Sequence, residues 1–360
     1  MDFLTTAVAS VLIVAAHTPN GRRKVLLSLL VGLVWFLLAR VTGPFLDCLM
    51  WLFFYSGIVA ILIEAAIPYV KRGSGSSLPQ MLFVPGLIFS SGLALFLGQK
   101  LTAITLDRFL YVFDGSLGFQ PGFVAARFLY GYAWLNYLAA LAYVTLPITG
   151  TFVWVALDKR RPAAGRRFAI SCVALGVFGW ICYCIFPAVG SPIAMAASFP
   201  RVTPTIALSD VVPTVAPPGN RNCMPSLHTA WVIVIWWYSS GLRLPHRAIL
   251  AVWLVLTLAS TLANHYFIDM ALAVPFVVAV DAGVANWRHH SHLALRITAM
   301  CSALFFAWLL GLRFGIKLLL LSPLVSWSAV FATMVWCWAL RRQLERDRAE
   351  PEIEPVLRNG

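Results

Sequence analysis

The sequence predicts an all-α, polytopic transmembrane helical bundle. Composition is the first reason. Of 360 residues, 60% are hydrophobic and 11% are charged, and the mean hydropathy is +0.82. A soluble domain carries about 25% charged residues, so this chain lacks the polar surface to face water. The second reason is the recurrence of apolar runs close to the roughly 20 residues that cross a bilayer. The third is that short basic segments separate those runs. The same composition excludes a disordered or fibrous chain.

In chain order, apolar runs fall at 3–17, 25–39, 46–70, 81–98, 131–157, 168–186, 228–242, 247–263, 266–286, 293–312 and 318–340. The first two are short, so roughly nine to eleven spans are expected. The first run starts with Asp2 and has no Lys or Arg before it. A secretory signal wants a basic start, so this run reads as a retained span. Seven cysteines are scattered, mostly within apolar runs, where Cys acts as a small hydrophobe. No disulfide framework is expected, and Cys182 and Cys184 do not have the spacing of a metal-ligand pair.

The breaks set an orientation. Arg22-Arg23-Lys24, Lys71-Arg72, the segment 158–167, the segment 243–247 and the segment 287–296 are all basic. If 158–167 is cytoplasmic, alternation puts the others there too, with the tail from Arg341. Most of the 27 Lys and Arg then lie inside, leaving Arg40, Lys100, Arg108, Arg127, Arg201, Arg221, Arg313 and Lys317 outside. The net charge of +13 is therefore a topology mark, and nucleic acid is not expected as a partner. The longest non-apolar segments, about 100–123 and 187–227, fall on the outer face, and such loops are often functional. The chain divides into N-terminal spans (1–77, ending in the Ser74–Ser77 linker), a core (78–292), C-terminal spans (293–340) and a polar cytoplasmic tail (341–360).

Ionisable groups at membrane depth are costly, so each is a functional candidate. His228 sits at the start of one expected span, and His265 and Asp269 at the start of the span two further on. Both starts fall on the outer face. His265 and Asp269 are i and i+4, a spacing that places them on one helix face. Asp269 could then fix the His265 tautomer and leave the other ring nitrogen as nucleophile or base. His228 could supply the complementary acid. Such a set suits transfer of a group through a covalent histidine intermediate. A metal site of two His and one Asp is the chemical alternative. A transporter of lipids or anions without turnover is the alternative of another class.

Met224-Pro225-Ser226-Leu227-His228 followed by His265-Tyr266-Phe267-Ile268-Asp269 resembles the second and third signatures of the type 2 phosphatidic acid phosphatase superfamily. The form is similar to the branch with inositol phosphorylceramide synthases and bacterial lipid phosphatases. Asp107 to Asp114 and Tyr183 to Pro192 also resemble segments of that branch. The resemblance covers roughly residues 80 to 290 and implies a six-helix phosphatase-like core. It implies that His265 attacks phosphorus, that Asp269 orients it and that His228 protonates the leaving oxygen. It implies a lipid phosphate substrate among membrane lipids, with no cofactor and no metal. The site would face the extracytoplasmic side of a plasma (inner) membrane.

Two signature positions depart from the family. Its Lys-x6-Arg-Pro signature is absent, since Arg161-Pro162 is preceded by Trp154 and lies on the inner face. Leu258 and Ala259 stand where Ser-Arg is usual. Phosphate must be held otherwise, because it wants charge-assisted donors. Arg221, seven residues before His228, leads the candidates, with Ser226, Arg201 and Arg127 completing the substrate-binding set. Arg201 and Arg221 as plain loop charges is the bland reading. Asp107, Arg108 and Asp114 read as a solvated interfacial face. His289, His290 and His292 resemble a metal tract but lie inside among basic residues, where a lipid-headgroup role or none is expected. Glu64 and Asp281 pair within the bundle or sit near a helix end. Trp236-Trp237-Tyr238 and Trp336-Cys337-Trp338 read as interface belts.

Overall fold

The computed structural model describes residues 103–158, 160–215 and 221–349. The expected spans at 3–17, 25–39, 46–70 and 81–98 lie outside these residues, as do Glu64 and the end of the tail. A short strand β1 (Ile104–Thr105) leads into α1 (Asp107–Ser116) and α2 (Pro121–Gly131). Then come α3 (Ala133–Val144), α4 (Leu146–Asp158), α5 (Pro162–Ile185) and the one-turn α6 (Ser191–Ala194). After β2 (Thr214–Val215), paired antiparallel with β1, follow α7 (Leu227–Tyr238), α8 (Leu244–Asn264) and α9 (Phe267–His289). The chain continues through α10 (His292–Phe314), α11 (Ile316–Leu319) and α12 (Pro323–Ala349).

Local chemistry sets the boundaries. Prolines begin α2 and α5, where the missing N–H costs nothing. The Ser226 hydroxyl caps α7 and the Ser291 hydroxyl caps α10. Five helices among the described residues, α5, α8, α9, α10 and α12, are long and apolar enough to cross a membrane. Large apolar side chains such as Ile249, Val252, Leu310 and Phe331 stay exposed on their outer faces. A multi-pass membrane protein follows from these helices. Two expected spans come out differently. The run 131–157 breaks at Thr145 into α3 and α4, with the Thr145 hydroxyl bonding back to the Leu141 carbonyl at 2.7 Å. The run 228–242 yields a helix of 12 residues, stopped by a 3-10 turn at Ser239–Gly241.

α9 is the centre of the bundle. Of its apolar window 72% is buried, against 28–44% for the other four. Small residues let neighbours approach closely, and Ala271, Ala273, Ala279, Ala282 and Ala285 are all buried there. α1, α5, α7, α10 and α12 pack around α9, while α8 packs on α2, α3 and α7.

The helix ends sort into two groups. At one end the Arg160 guanidinium donates to the Gly241 carbonyl (2.8 Å) and the Ser291 hydroxyl to Asp347 (3.1 Å). At the other, the Trp327 indole donates to the Leu117 carbonyl (3.1 Å), and the Ser116 and Ser326 hydroxyls lie 2.7 Å apart. Toward the first end Asp281 of α9 is buried among four side chains. It accepts from Arg167 (2.9 Å), Arg341 (2.8 Å), Ser171 (3.1 Å) and Tyr238 (2.9 Å). The Arg341 guanidinium also lies 4.5 Å from the Trp237 ring centroid. Asp281 thus pairs within the bundle. Arg341, expected to open a polar tail, is instead buried in it, and α12 runs on through Ala349. Trp237 and Tyr238, expected in an interface belt, face this knot.

Candidate active site

Four segments meet at the second end. α1 supplies Asp107 and Asp114, two turns apart and so on one face. Both are 1% exposed, which overturns the expectation of a solvated interfacial face. Asp107 accepts from the backbone amides of Val189 (3.1 Å) and Gly190 (2.9 Å) and from the Tyr266 hydroxyl (3.0 Å). Asp114 accepts from the amides of Phe267 (2.7 Å) and Ile268 (3.1 Å). These are the first two amides of α9, which have no carbonyl partner within the helix. One amphipathic helix therefore holds both the loop after α5 and the start of α9.

The loop after α5 is placed as tightly. Leu106 donates to the Pro187 carbonyl (2.8 Å) and Cys223 to the Ala188 carbonyl (3.3 Å). Gly190 has φ +88°, and a Cβ there would collide with the Asn264 carbonyl oxygen and lie 3.0 Å from the Cys223 sulfur. Only glycine meets both conditions.

His228 is the second residue of α7. Its cap, Ser226, is fully buried, and the Ser226 hydroxyl accepts from the Thr229 amide at 3.3 Å. The Ser226 amide donates to the Asp269 carbonyl at 3.2 Å. Ser226, read as a substrate ligand, is thus placed as a helix cap that ties α7 to α9. The His228 ring stacks on Tyr143 of α3, with centroids 3.7 Å apart and planes 17° apart, and meets Trp231 edge-on at 5.9 Å.

His265 and Asp269 do come together, by a route other than the expected one. α8 ends at Asn264, and His265 is its cap, with extended backbone (φ −121°, ψ 178°). Tyr266 is the cap of α9, and the Asp269 carboxylate, one turn in, accepts from the Tyr266 amide at 3.2 Å. A side chain at that helix position reaches back toward the cap. His265 Nδ1 then lies 3.6 Å from Asp269 Oδ2. The two residues flank a corner between helices and do not share a helix face. His265 is 2% exposed, Asp269 is fully buried, and the His228 and His265 ring centroids are 6.4 Å apart.

Of the candidate arginines for phosphate, Arg221 is the buried one. Burial lowers its pKa from the usual arginine range, and the charge of Asp107 acts in the opposite sense. Burial pushes the Asp107 carboxyl up, against the pull of the Val189 and Gly190 amides. Burial pushes Asp114 well up, and the charge of Asp269 adds to that. Arg127 and Arg201 are exposed. The Arg127 guanidinium donates to the carbonyls of Pro200 (2.6 Å) and Arg201 (3.0 Å) and to Thr203 (3.0 Å), so it clasps the loop after α6. Arg108 likewise donates to the Asp210 carbonyl at 2.7 Å. Arg161 precedes α5 by one residue, about 36 Å of helix from the loop at Pro187.

Sequence reasoning missed Asp107, Asp114, Tyr143, Cys223 and Tyr266. The two aspartates had a legible signal: acids seven apart flanking a segment dominated by aromatic and aliphatic residues. Tyr143 had none, since its contact with His228 spans most of the core. No curated protein and no solved structure matches the chain. Residues 108–283, which carry His228, His265, Asp269, Arg221 and their neighbours apart from Asp107, match the family model of the PAP2 superfamily, a family of phosphatases, and that match supports an enzyme of this superfamily.

Proposed function

We propose that the protein is a metal-independent lipid phosphatase or phosphotransferase that works through a phosphohistidine. One observation carries this: His265 lies 3.6 Å from Asp269 and across from His228, within the segment that matches a phosphatase family. Asp269 holds a proton on Nδ1 of His265, which leaves the lone pair on Nε2. Nε2 attacks phosphorus, the bond from phosphorus to the lipid oxygen breaks, and that oxygen takes the electron pair and a proton from His228. In the second half, water or a lipid alcohol attacks the phosphohistidine while His228 takes up its proton. His265 is then restored. Arg221 offsets phosphate charge from within the site.

The charges support an outward-facing site. Basic segments gather at the helix ends remote from the histidines, and such segments stay in the cytoplasm. The site then faces the extracytoplasmic side. The Pro-Ser-Leu-His and His-Tyr-x-x-Asp forms support the branch of inositol phosphorylceramide synthases and bacterial lipid phosphatases. The burial of His265 and the Tyr143 ring on His228 support a water-poor site, which favours a lipid alcohol as acceptor.

The test is phosphate release, or transfer to a lipid alcohol, from radiolabelled lipid phosphates by the purified full chain with chelator present. Wild type should form an acid-labile phosphoenzyme, and His265→Ala should form none. Turnover unchanged in His265→Ala would sink the mechanism. Absence of turnover on every lipid phosphate offered would return the chain to a transporter.

A further inference from the structure

We infer that Cys223, His265 and Asp269 form a binding site for a thiophilic divalent cation, Zn²⁺ best of all, and that occupancy switches the catalytic histidine off. Each of the three residues is buried, and one ligand atom from each lies within 4.8 Å of the others. A second observation points the same way. Asp269 Oδ1 has no hydrogen-bond partner among the described residues, and His265 Nδ1 meets Asp269 Oδ2 at 3.6 Å, longer than a hydrogen bond, although both side chains are more than nine-tenths buried. Buried polar atoms in native structures almost always have a partner, so under-satisfied atoms within this buried cluster mark a place where something binds.

The donor set selects the ion. Mg²⁺ and Ca²⁺ require oxygen ligands, whereas one sulfur, one imidazole nitrogen and one carboxylate suit zinc. Zinc with nitrogen and oxygen at about 2.1 Å and sulfur at about 2.3 Å holds its ligand atoms about 3.4–3.8 Å apart. His265 and Asp269 already stand at 3.6 Å. The sulfur lies within 4.8 Å of both and moves in to close the set. The cation displaces the thiol proton to solvent, and the thiolate and carboxylate together balance its charge.

The consequence for the histidine follows from its two nitrogens. A neutral imidazole carries one N–H. With the proton on Nδ1, held by Asp269, Nε2 has the lone pair that attacks phosphorus. A cation on Nδ1 needs a lone pair there, so the ring proton must sit on Nε2 instead. The nucleophile is then lost, and Asp269 is occupied as a ligand. The switching part rests on the proposed function, and the binding part does not.

Titration of the purified full chain with Co²⁺ separates the two parts. Wild type should bind one equivalent and show a thiolate-to-cobalt charge-transfer band that Zn²⁺ displaces. Cys223→Ala should lose the band, and His265→Ala should weaken binding about tenfold or more. The double variant of His290→Ala and His292→Ala, in the histidine tract at the other end, should keep it. X-ray absorption of the zinc-bound wild type needs no variant, and should show one sulfur at about 2.3 Å. A missing band, a band that survives Cys223→Ala, one lost with the distant histidines, or a zinc shell without sulfur overturns the site. Turnover in chelator should then be compared with turnover in Zn²⁺ for wild type, Cys223→Ala and the double variant at His290 and His292. Half-inhibition should need at least about tenfold more Zn²⁺ in Cys223→Ala than in wild type. Stoichiometric cation binding with undiminished turnover overturns the switch. A cobalt band in a protein with no turnover keeps the site and rejects the proposed function. Zinc-insensitive turnover with no band does the reverse.

Discussion

Among the arginines of the outer segments, burial separates two roles that charge alone does not. Arg221 is buried beside Asp107, while Arg127 is exposed with its guanidinium spent on Pro200, Arg201 and Thr203. Arg221→Ala should lower kcat/KM for lipid phosphate roughly 10- to 100-fold, the range of a lost charge-assisted bond. Arg127→Ala should leave the chemical step intact and make the 200–203 segment more sensitive to protease. Equal losses of kcat/KM in both would show that neither is specific to phosphate. Asp269→Asn keeps the shape of the side chain but can no longer hold a proton on Nδ1. Its single-turnover rate should fall by roughly 10²- to 10⁴-fold, with the phosphoenzyme still detectable on long incubation. Both histidines and this aspartate were legible as a set, because motif order survives without coordinates. The corner between α8 and α9 was not, because an i, i+4 spacing reads the same whether or not a helix boundary falls inside it.

Two elements carry the arrangement. α1 is an amphipathic helix whose buried face includes two carboxylates, and these grip the loop after α5 and the first amides of α9. Asp114→Ala leaves the Phe267 and Ile268 amides buried without acceptors. A loss of about 1–3 kcal/mol in stability is expected, together with lower activity as His265 and Asp269 lose their register. Denaturation in detergent alongside turnover checks both, and an unchanged Tm with full activity would remove α1 from the site. At the other end, α9 meets α5, α7 and α12 through Asp281. A buried ion pair adds little net stability, but removing one partner strands the other. Asp281→Ala leaves the buried Arg341 and the half-buried Arg167 without their carboxylate and should cost roughly 3–5 kcal/mol, read as a lower Tm. Replacing the whole set with apolar residues of similar volume should recover most of it. Asp281 was visible as an intramembrane acid. Its partners were not, since Arg167 looked like part of a basic loop and Arg341 like the start of a tail.

At the scale of the whole molecule, the site and the basic segments among the described residues lie at opposite ends of one helical bundle. Membrane-impermeant maleimide should label Val202→Cys on intact cells or right-side-out vesicles, and Leu244→Cys only after permeabilisation. Both positions are exposed, so access depends on the side of the membrane. The reverse pattern would turn the site inward. The sequence by itself determined the membrane class, the order of the two histidine motifs and the sorting of charge between helix ends. Hydropathy and loop charge act over one span at a time, so a linear reading captures them. Tertiary structure alone decided which polar groups leave water. Asp107 meets Tyr266 across 159 positions and Val189 across 82, and Cys223 joins His265 and Asp269 from another loop. Those contacts depend on how the helices pack in a medium where an unmet hydrogen bond is costly, and no spacing along the chain encodes that.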